Sequence, residues 1–396
     1  MRSALEGIVV LDHTSALAGP YCAQLLGDFG ANVIKIEQPG KGDQSRGWGP
    51  PFVGDVSAYY LGTNRNKRGL TLNLGSQDGR DIMAKLLKKA DVLIHNVPRK
   101  SSRQKLGLDE KYCHGLNEKL IWASISGFGN TGPYAEKPGY DVIAQGMGGA
   151  MSLTGEKDSD PMRFPTPIAD ITTGIYTALS IVTALYARTH TGKGQSIDNA
   201  LFDCQVTWLA NVASSYLATN NPPQKIGNTH PSIVPYQPLP TADGWVIVGV
   251  GSEKLWQSFL QVINFSEIAE DKRFENNTLR LQHRQELTEL LAKCLRQQNS
   301  AYWLEKLQQA RIPSGPIYTP QETLSDEHLL SRGMVVELEH PMIGLVKSLG
   351  NPMNLTDTPV SYRLPPPLLG EHSTDILREL EYNEQQINEL RDQKVI

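Results

Sequence analysis

Four short apolar runs punctuate the first third of the chain: GIVVLD at 7–12, VIKI at 33–36, DVLIH at 91–95 and LIWASIS at 120–126. Short, mainly apolar runs are what a strand covered on both faces requires, whereas a strand with one wet face alternates. Between the runs, 20–29 and 78–90 carry helical spacing, the second placing Ile82, Leu86 and Leu87 on one face. Strand, helix and strand in that order predict an α/β fold, a parallel sheet joined by right-handed crossovers.

Further along, 170–187 reads as a long helix with Ile175, Leu179, Val182 and Leu185 as its apolar face. TGKG at 191–194 is a turn and 195–199 a candidate strand; the Pro- and Asn-rich 220–224 breaks the pattern as a linker does. A strand at 244–251 and helices at 253–262, 285–297 and 301–310 then form a smaller α+β unit that ends at PSGP, 313–316. Strand patterns return at 334–339 and 344–348, followed by a polar helix from Thr374. With 396 residues and 39% hydrophobic content the chain fills two cores, and its polar tail is too weak for a third. The expected division is a large domain from 1–219, a small domain over 225–318, and a C-terminal part, 319–396, that rejoins the first.

Composition narrows the function. Net charge is −4 with both signs mixed along the length, so no basic track exists for nucleic acid. Cys22, Cys113, Cys204 and Cys294 lie far apart without CxxC spacing, and no HExxH is present, so neither a disulfide framework nor a metal site is expected. The most apolar stretch, 171–187, is interrupted by Thr172, Thr173, Gly174, Tyr176, Thr177 and Ser180, which argues against a membrane span. The start lacks the features of an export signal, and a cytoplasmic protein is expected.

The turn after the first strand, HTSALAGP at 13–20, holds one glycine where a dinucleotide fingerprint needs three. Pro20 suits a helix start instead. NRNKR at 64–68 is either a surface charge cluster or an anchor for a phosphorylated nucleotide. Asp170 opens the long helix; an acidic residue there is either an N-cap or a carboxylate poised as a nucleophile near the helix's positive end. Attack on a thioester would need backbone donors for the oxyanion, and Gly148-Gly149 is a candidate. Tyr140-Asp141, after Pro138-Gly139, is a turn or a polar pair facing substrate. His230 lies in a polar loop, 227–237, rich in turn residues.

These pieces occur in a fixed order: AGP at 18–20, LGDFGANVIKIE at 26–37, GD at 42–43, RNK at 65–67, SGFG at 126–129, TGP at 131–133, GYD at 139–141, AD at 169–170, TGKG at 191–194, GP at 315–316 and LLGEH at 368–372. Over nearly the whole chain they resemble the class III CoA-transferase family, which also contains α-methylacyl-CoA racemases. The resemblance implies a Rossmann-like large domain built from both chain ends, a small domain, and an interlocked homodimer. It matches Asp170 to the catalytic aspartate that takes the acyl group and then carries CoA as a thioester. Coenzyme A, a substrate and not a tightly bound cofactor, is expected against Leu17, Ala18, Leu72, Asn73, Leu74, Asn96, Val97, Lys105 and Tyr140. The racemase branch has His after the glycine matched by Gly139; Tyr140 here implies transfer. Formyl-CoA transferases have Gln at Leu17, and some relatives have Arg at Gln38. GWGPPFVG at 47–54, SIVPYQ at 232–237 and PPPLLG at 365–370 resemble the branch that exchanges CoA between dicarboxylic acids such as succinate and glutarate. A second carboxylate calls for a cation, for which Arg46, Arg163 and His230 are candidates, with Asp141 also facing substrate.

Overall fold

The structure is a computed structural model that describes residues 3–396. Six parallel strands form the main sheet: β1 (Val9–His13), β2 (Asn32–Glu37), β3 (Lys67–Thr71), β4 (Val92–His95), β5 (Ile121–Ser126) and β6 (Ser196–Ala200). Their order is β3-β2-β1-β4-β5-β6. The chain winds outward from β1 to β3 and then returns to lay β4 on the other side of β1. Such a reversal leaves a crevice beyond the carboxyl ends of β1 and β4.

Two hydrophobic layers cover the sheet. On one face α1 (Ala18–Asp28) and α5 (Ile168–Thr191) pack on Val10, Val92, Ile94 and Ile121. On the other, α2 (Gln77–Lys89), begun by the Ser76 side chain accepting from the Gly79 N–H, buries Ile82, Met83, Leu86 and Leu87. The tail helices α10 (Ser373–Glu379) and α11 (Glu384–Asp392) complete that second layer through Ile376, Leu377, Ile387 and Leu390. Between them in sequence come α3 (Lys100–Leu106), α4 (Asp141–Met147) and α6 (Leu201–Val206) in the sheet unit, which also holds the hairpin β10 (Val335–His340) and β11 (Gly344–Leu349).

The apolar face expected of the long helix is corrected by its packing. Ile175, Leu179 and Val182 are exposed, and only Leu185 of the four is buried. The buried stripe is made of Thr173, Gly174, Thr177, Ala178, Ile181 and Ala184. A Cβ at Gly174 would stand 2.8 Å from the Ala18 carbonyl oxygen, so small residues are what let α5 lie close on α1. Its buried hydroxyls turn inward on the helix itself, Thr173 Oγ1 donating to the Ala169 carbonyl and Thr177 Oγ1 to Thr173, both at 2.7 Å. Among the described residues α5 alone is long and apolar enough to cross a membrane, and 56% of its most apolar 18-residue window is buried in the protein.

Within 64–68, Asn64, Arg65, Asn66 and Lys67 are buried, while Arg68 is partly exposed and pairs with Glu379. Arg65 is buried and binds Asp28 through two bonds of 2.9 and 2.7 Å, while its Nη1 donates to the Leu349 carbonyl. Asn66 donates to Asp28 and accepts the Arg363 N–H at 2.7 Å. Lys67 spends all three donors inside, on Asp12, the Pro20 carbonyl and Asn64. The basic run therefore latches the C-terminal stretch to the first helix, and β3 starts at Lys67 because those charges are neutralised within the fold.

The chain divides into two units: Met1–Met151, Arg163–Ala218 and Glu327–Ile396 make the first, Ser152–Met162 and Thr219–Asp326 the second. The short piece 152–162 belongs to the second because Gly227 N–H bonds the Gly155 carbonyl and Lys225 Nζ the carbonyls of Ser159 and Asp160. That unit holds an antiparallel sheet ordered β9-β8-β7, from β7 (Tyr236–Pro240), β8 (Trp245–Gly249) and β9 (Ser314–Pro316). Helices α7 (Glu253–Ile263), α8 (Arg284–Leu295) and α9 (Ser300–Gln309) bury Trp256, Phe259, Leu291 and Trp303 against it.

Candidate active site

At the reversal, β1 and β4 end side by side, His13 opposite His95. The next residue, Asn96, ties the two loops together: its Oδ1 accepts the Ser15 N–H at 3.3 Å and its Nδ2 donates to the Ser15 carbonyl at 3.0 Å. The turn continues through Ala16 at φ +71°, a left-handed conformation that a residue with a Cβ holds only under constraint. Asp43 supplies the constraint by accepting the Ala16 N–H at 3.1 Å, and Asp43 is itself fixed by buried Lys35 at 2.9 Å. Burial opposes the ionised form of Asp12 below this turn, yet Lys67 and Lys35 outweigh it and hold the carboxyl below its usual range. Burial brings Lys67 down to about 8. A paired, fully bonded charge network of this kind fixes a loop in one geometry, because any member left alone would be an unpaired buried charge.

A cavity of about 870 Å³ opens over that turn, built entirely from the first unit. Its most distinctive group is Asp170, the third residue of α5. Among the described residues its carboxyl oxygens have no hydrogen-bond partner within the protein. The N-cap position is Pro167 with no side-chain cap, and the capping is done from another helix: Asp141 Oδ1 accepts the Ala169 N–H at 2.8 Å and that of Asp170 at 3.3 Å. Gln145 Nε2 donates to the other Asp141 oxygen at 2.6 Å. Asp170 is thereby relieved of the structural task that its position suggests. Burial first, and the Asp141 carboxylate second, push its pKa up from 3.8 to about 7.

A close backbone crossing presents these groups to the cavity. Gly127 and Gly139 touch: a Cβ on Gly139 would lie 2.6 Å from the Gly127 Cα, so the 126–129 and 138–141 loops meet only because both residues are glycine. Across from them Trp48 and Tyr59, edge to face at 4.8 Å, line the same space. Burial, then the charges of Asp170, Asp141 and Asp43, keep the Tyr59 hydroxyl protonated well above its usual range, so it remains a donor.

Of the residues singled out in the sequence, Leu17, Ala18, Asn96, Tyr140, Asp141, Arg163 and Asp170 converge on this cavity. Others do not line it. Leu72 and Leu74 are core residues, and the Asn73 side chain accepts the Gly75 N–H. Val97 packs on the core, and Lys105 is exposed on α3. Arg46 is committed to Glu37 by bonds of 2.8 and 2.7 Å, to the Tyr60 hydroxyl and to the Pro367 carbonyl. His230 belongs to the second unit, where it accepts the Ser232 N–H and packs on Tyr236. Gly148 and Gly149 stand at the far end of α4, against Gln205 and Leu209, away from the cavity lining. Sequence reasoning did not single out Tyr59 and Lys137, and it held Trp48 and Ser126 only as letters of the GWGPPFVG and SGFG motifs, with no role at the cavity.

The model of CoA-transferase family III matches residues 5–373. The chain belongs to that family. Among family III CoA-transferases it is 40% identical to a succinate–glutarate CoA-transferase of Agrobacterium fabrum, over 96% of each chain. It is 37% identical to the human succinyl-CoA:glutarate CoA-transferase, over 98% of this chain and 88% of that one. A solved CAIB/BAIF family protein from Brucella suis superposes with a TM-score of 0.87 at 39% identity, covering 96% of this chain and 100% of the other. As a family III CoA-transferase, the protein acts on a thioester, whose electrophilic carbonyl calls for a nucleophile. At the cavity, the candidate is a carboxyl that the fold has left unbonded. Among the described residues no cluster of three or more His, Cys, Asp or Glu is placed to hold a metal.

Proposed function

We propose that this CoA-transferase moves CoA from succinyl-CoA, or a similar dicarboxylyl-CoA, to a dicarboxylate such as glutarate through a covalent intermediate on Asp170. The ionised Asp170 attacks the thioester carbonyl and expels CoA thiolate, leaving a mixed anhydride. The thiolate then attacks the aspartyl carbonyl, releasing the donor acid and leaving an aspartyl thioester. The acceptor carboxylate attacks that thioester in turn, and the returning thiolate takes the acceptor's carbonyl, restoring the aspartate. Each step exchanges one acyl bond for another and needs no outside reductant or energy source.

One observation carries the reading: a carboxyl at a cavity wall whose capping duty is performed by its neighbour, Asp141. Its raised pKa supports it further, since a more basic carboxylate is a better nucleophile once ionised. The dicarboxylate assignment follows the two glutarate-acting relatives. Coenzyme A would run past Leu17, Ala18, Asn96 and Tyr140. The exposed Ile175, Leu179 and Tyr186 on α5 support a homodimer that covers them. Four free, buried thiols suit a cytoplasmic setting.

Incubation with succinyl-CoA and hydroxylamine, followed by peptide mass spectrometry, tests the covalent step. A hydroxamate at Asp170 is expected. Turnover by Asp170→Ala at near the original rate, with no modified Asp170 in the parent enzyme, would refute it.

A further inference from the structure

We infer that Arg163 recognises the second carboxylate of the acid whose other carboxyl reacts at Asp170, an inference that rests on the dicarboxylate transfer proposed above. Of the three cations that the sequence offered for this task, Arg46 is spent on Glu37 and Tyr60, and His230 belongs to the second unit. Arg163 lines the cavity together with Asp170. Among the described residues its guanidinium makes one long bond, Nη1 to the Pro165 carbonyl at 3.3 Å, and no ion pair. Three of its five donors lie on Nε and Nη2, which bond nothing among the described residues, and a planar fork of that kind matches a carboxylate in two parallel hydrogen bonds.

The backbone beneath Arg163 is held firmly. The Phe164 N–H donates to Gln145 Oε1 at 2.8 Å, and Gln145 Nε2 reaches back toward the Phe164 and Thr166 carbonyls while donating to Asp141 at 2.6 Å. Pro165 and Pro167 restrict the path from there into α5. One glutamine thus ties the segment that bears Arg163 to the carboxylate that caps the helix of Asp170. A cation and a nucleophile anchored to one support act as a ruler for a linear diacid: distal carboxylate at Arg163, reacting carboxylate at Asp170. The cavity's other cation, Lys137, lies with its ammonium 3.9 Å from the centre of the Tyr134 ring and offers a point charge in place of a fork.

The test compares glutarate with butyrate as acceptors, both with succinyl-CoA as donor so that any effect on the donor cancels. In Arg163→Met the ratio of the two kcat/KM values should fall about 10- to 100-fold, the range for a lost hydrogen-bonded charge pair. Arg163→Lys should recover part of it. An unchanged ratio, or a selective loss of glutarate in Lys137→Met instead, overturns the inference. Hydroxylamine capture at Asp170 keeps the two proposals apart. A variant that labels Asp170 normally and retains the parent ratio removes Arg163 alone. A parent enzyme that transfers CoA without labelling Asp170 removes the covalent step, and the ratio still decides Arg163.

Discussion

Replacing Asp170 by Asn removes an ionisable carboxyl from a site that disfavours its charge while keeping its shape. In the unfolded chain this group titrates near 3.8; burial and the Asp141 carboxylate raise it to about 7 in the fold. A folded pKa above the unfolded one means that the native state binds its proton more tightly. Wild type is therefore unpenalised below pH 4, loses stability progressively as the pH climbs from 4 to 7, and bears the full cost above 8. The interval from 3.8 to about 7, at about 1.4 kcal/mol per pH unit, gives a ceiling of about 4 kcal/mol. Relative to wild type, Asp170→Asn should show little difference at pH 4.5 by calorimetry and a higher Tm at pH 8, by roughly 5 to 10 °C. In the covalent mechanism proposed above the same ionisation governs rate, so kcat/KM of the parent enzyme should drop about tenfold per pH unit below about 7. An Asn variant whose melting temperature tracks the parent across this range, or lies below it at pH 8, would refute the reasoning, because it would mean that the carboxylate bonds to the fold after all.

Two more substitutions probe the frame around the site. Asp28→Ala leaves buried Arg65 without its anion and deprives Asn66 and Asn351 of an acceptor; a loss of about 3–5 kcal/mol in urea unfolding is expected, and a loss below about 1 kcal/mol would contradict the latch. Gly139→Ala sets a Cβ against the Gly127 backbone, which cannot yield as a flexible side chain would. Displacement of the loop bearing Tyr140 and Asp141 should lower kcat/KM by roughly 100-fold with circular dichroism unchanged, and near-normal kinetics would deny the crossing its role.

The sheet was legible because strands covered on both faces are mainly apolar and do not alternate, and 7–12, 33–36, 91–95 and 120–126 keep that character around single polar residues such as Lys35 and Ser124. Strand β3 was harder to place, since its first residues are Lys67 and Arg68 and their neutralising partners lie as far away as Glu379. The long helix shows the limit of periodicity. Periodicity marks its most hydrophobic stripe as the buried one, whereas the face that approaches α1 is chosen by size, and Gly174, Thr177 and Ala178 fit where Leu179 would not.

Asp170 could be singled out from its place at a helix start and from the motifs around it, but what it does there could not be derived locally. A capping partner is normally sought within three residues, and here Asp141 arrives from 29 positions upstream, on a separate helix. The same holds for the cations. Arg46, Arg163 and His230 are equivalent as letters, and only folding, by pairing the first with Glu37 and setting the last in another unit, leaves Arg163 on the cavity that Asp170 also lines. Chain-local physics, which is steric preference and the periodic burial of apolar groups, acts over a few residues and so fixes elements and their order. Desolvation and charge pairing act through space, and they alone decide which carboxyl is spent on structure and which is left free to react.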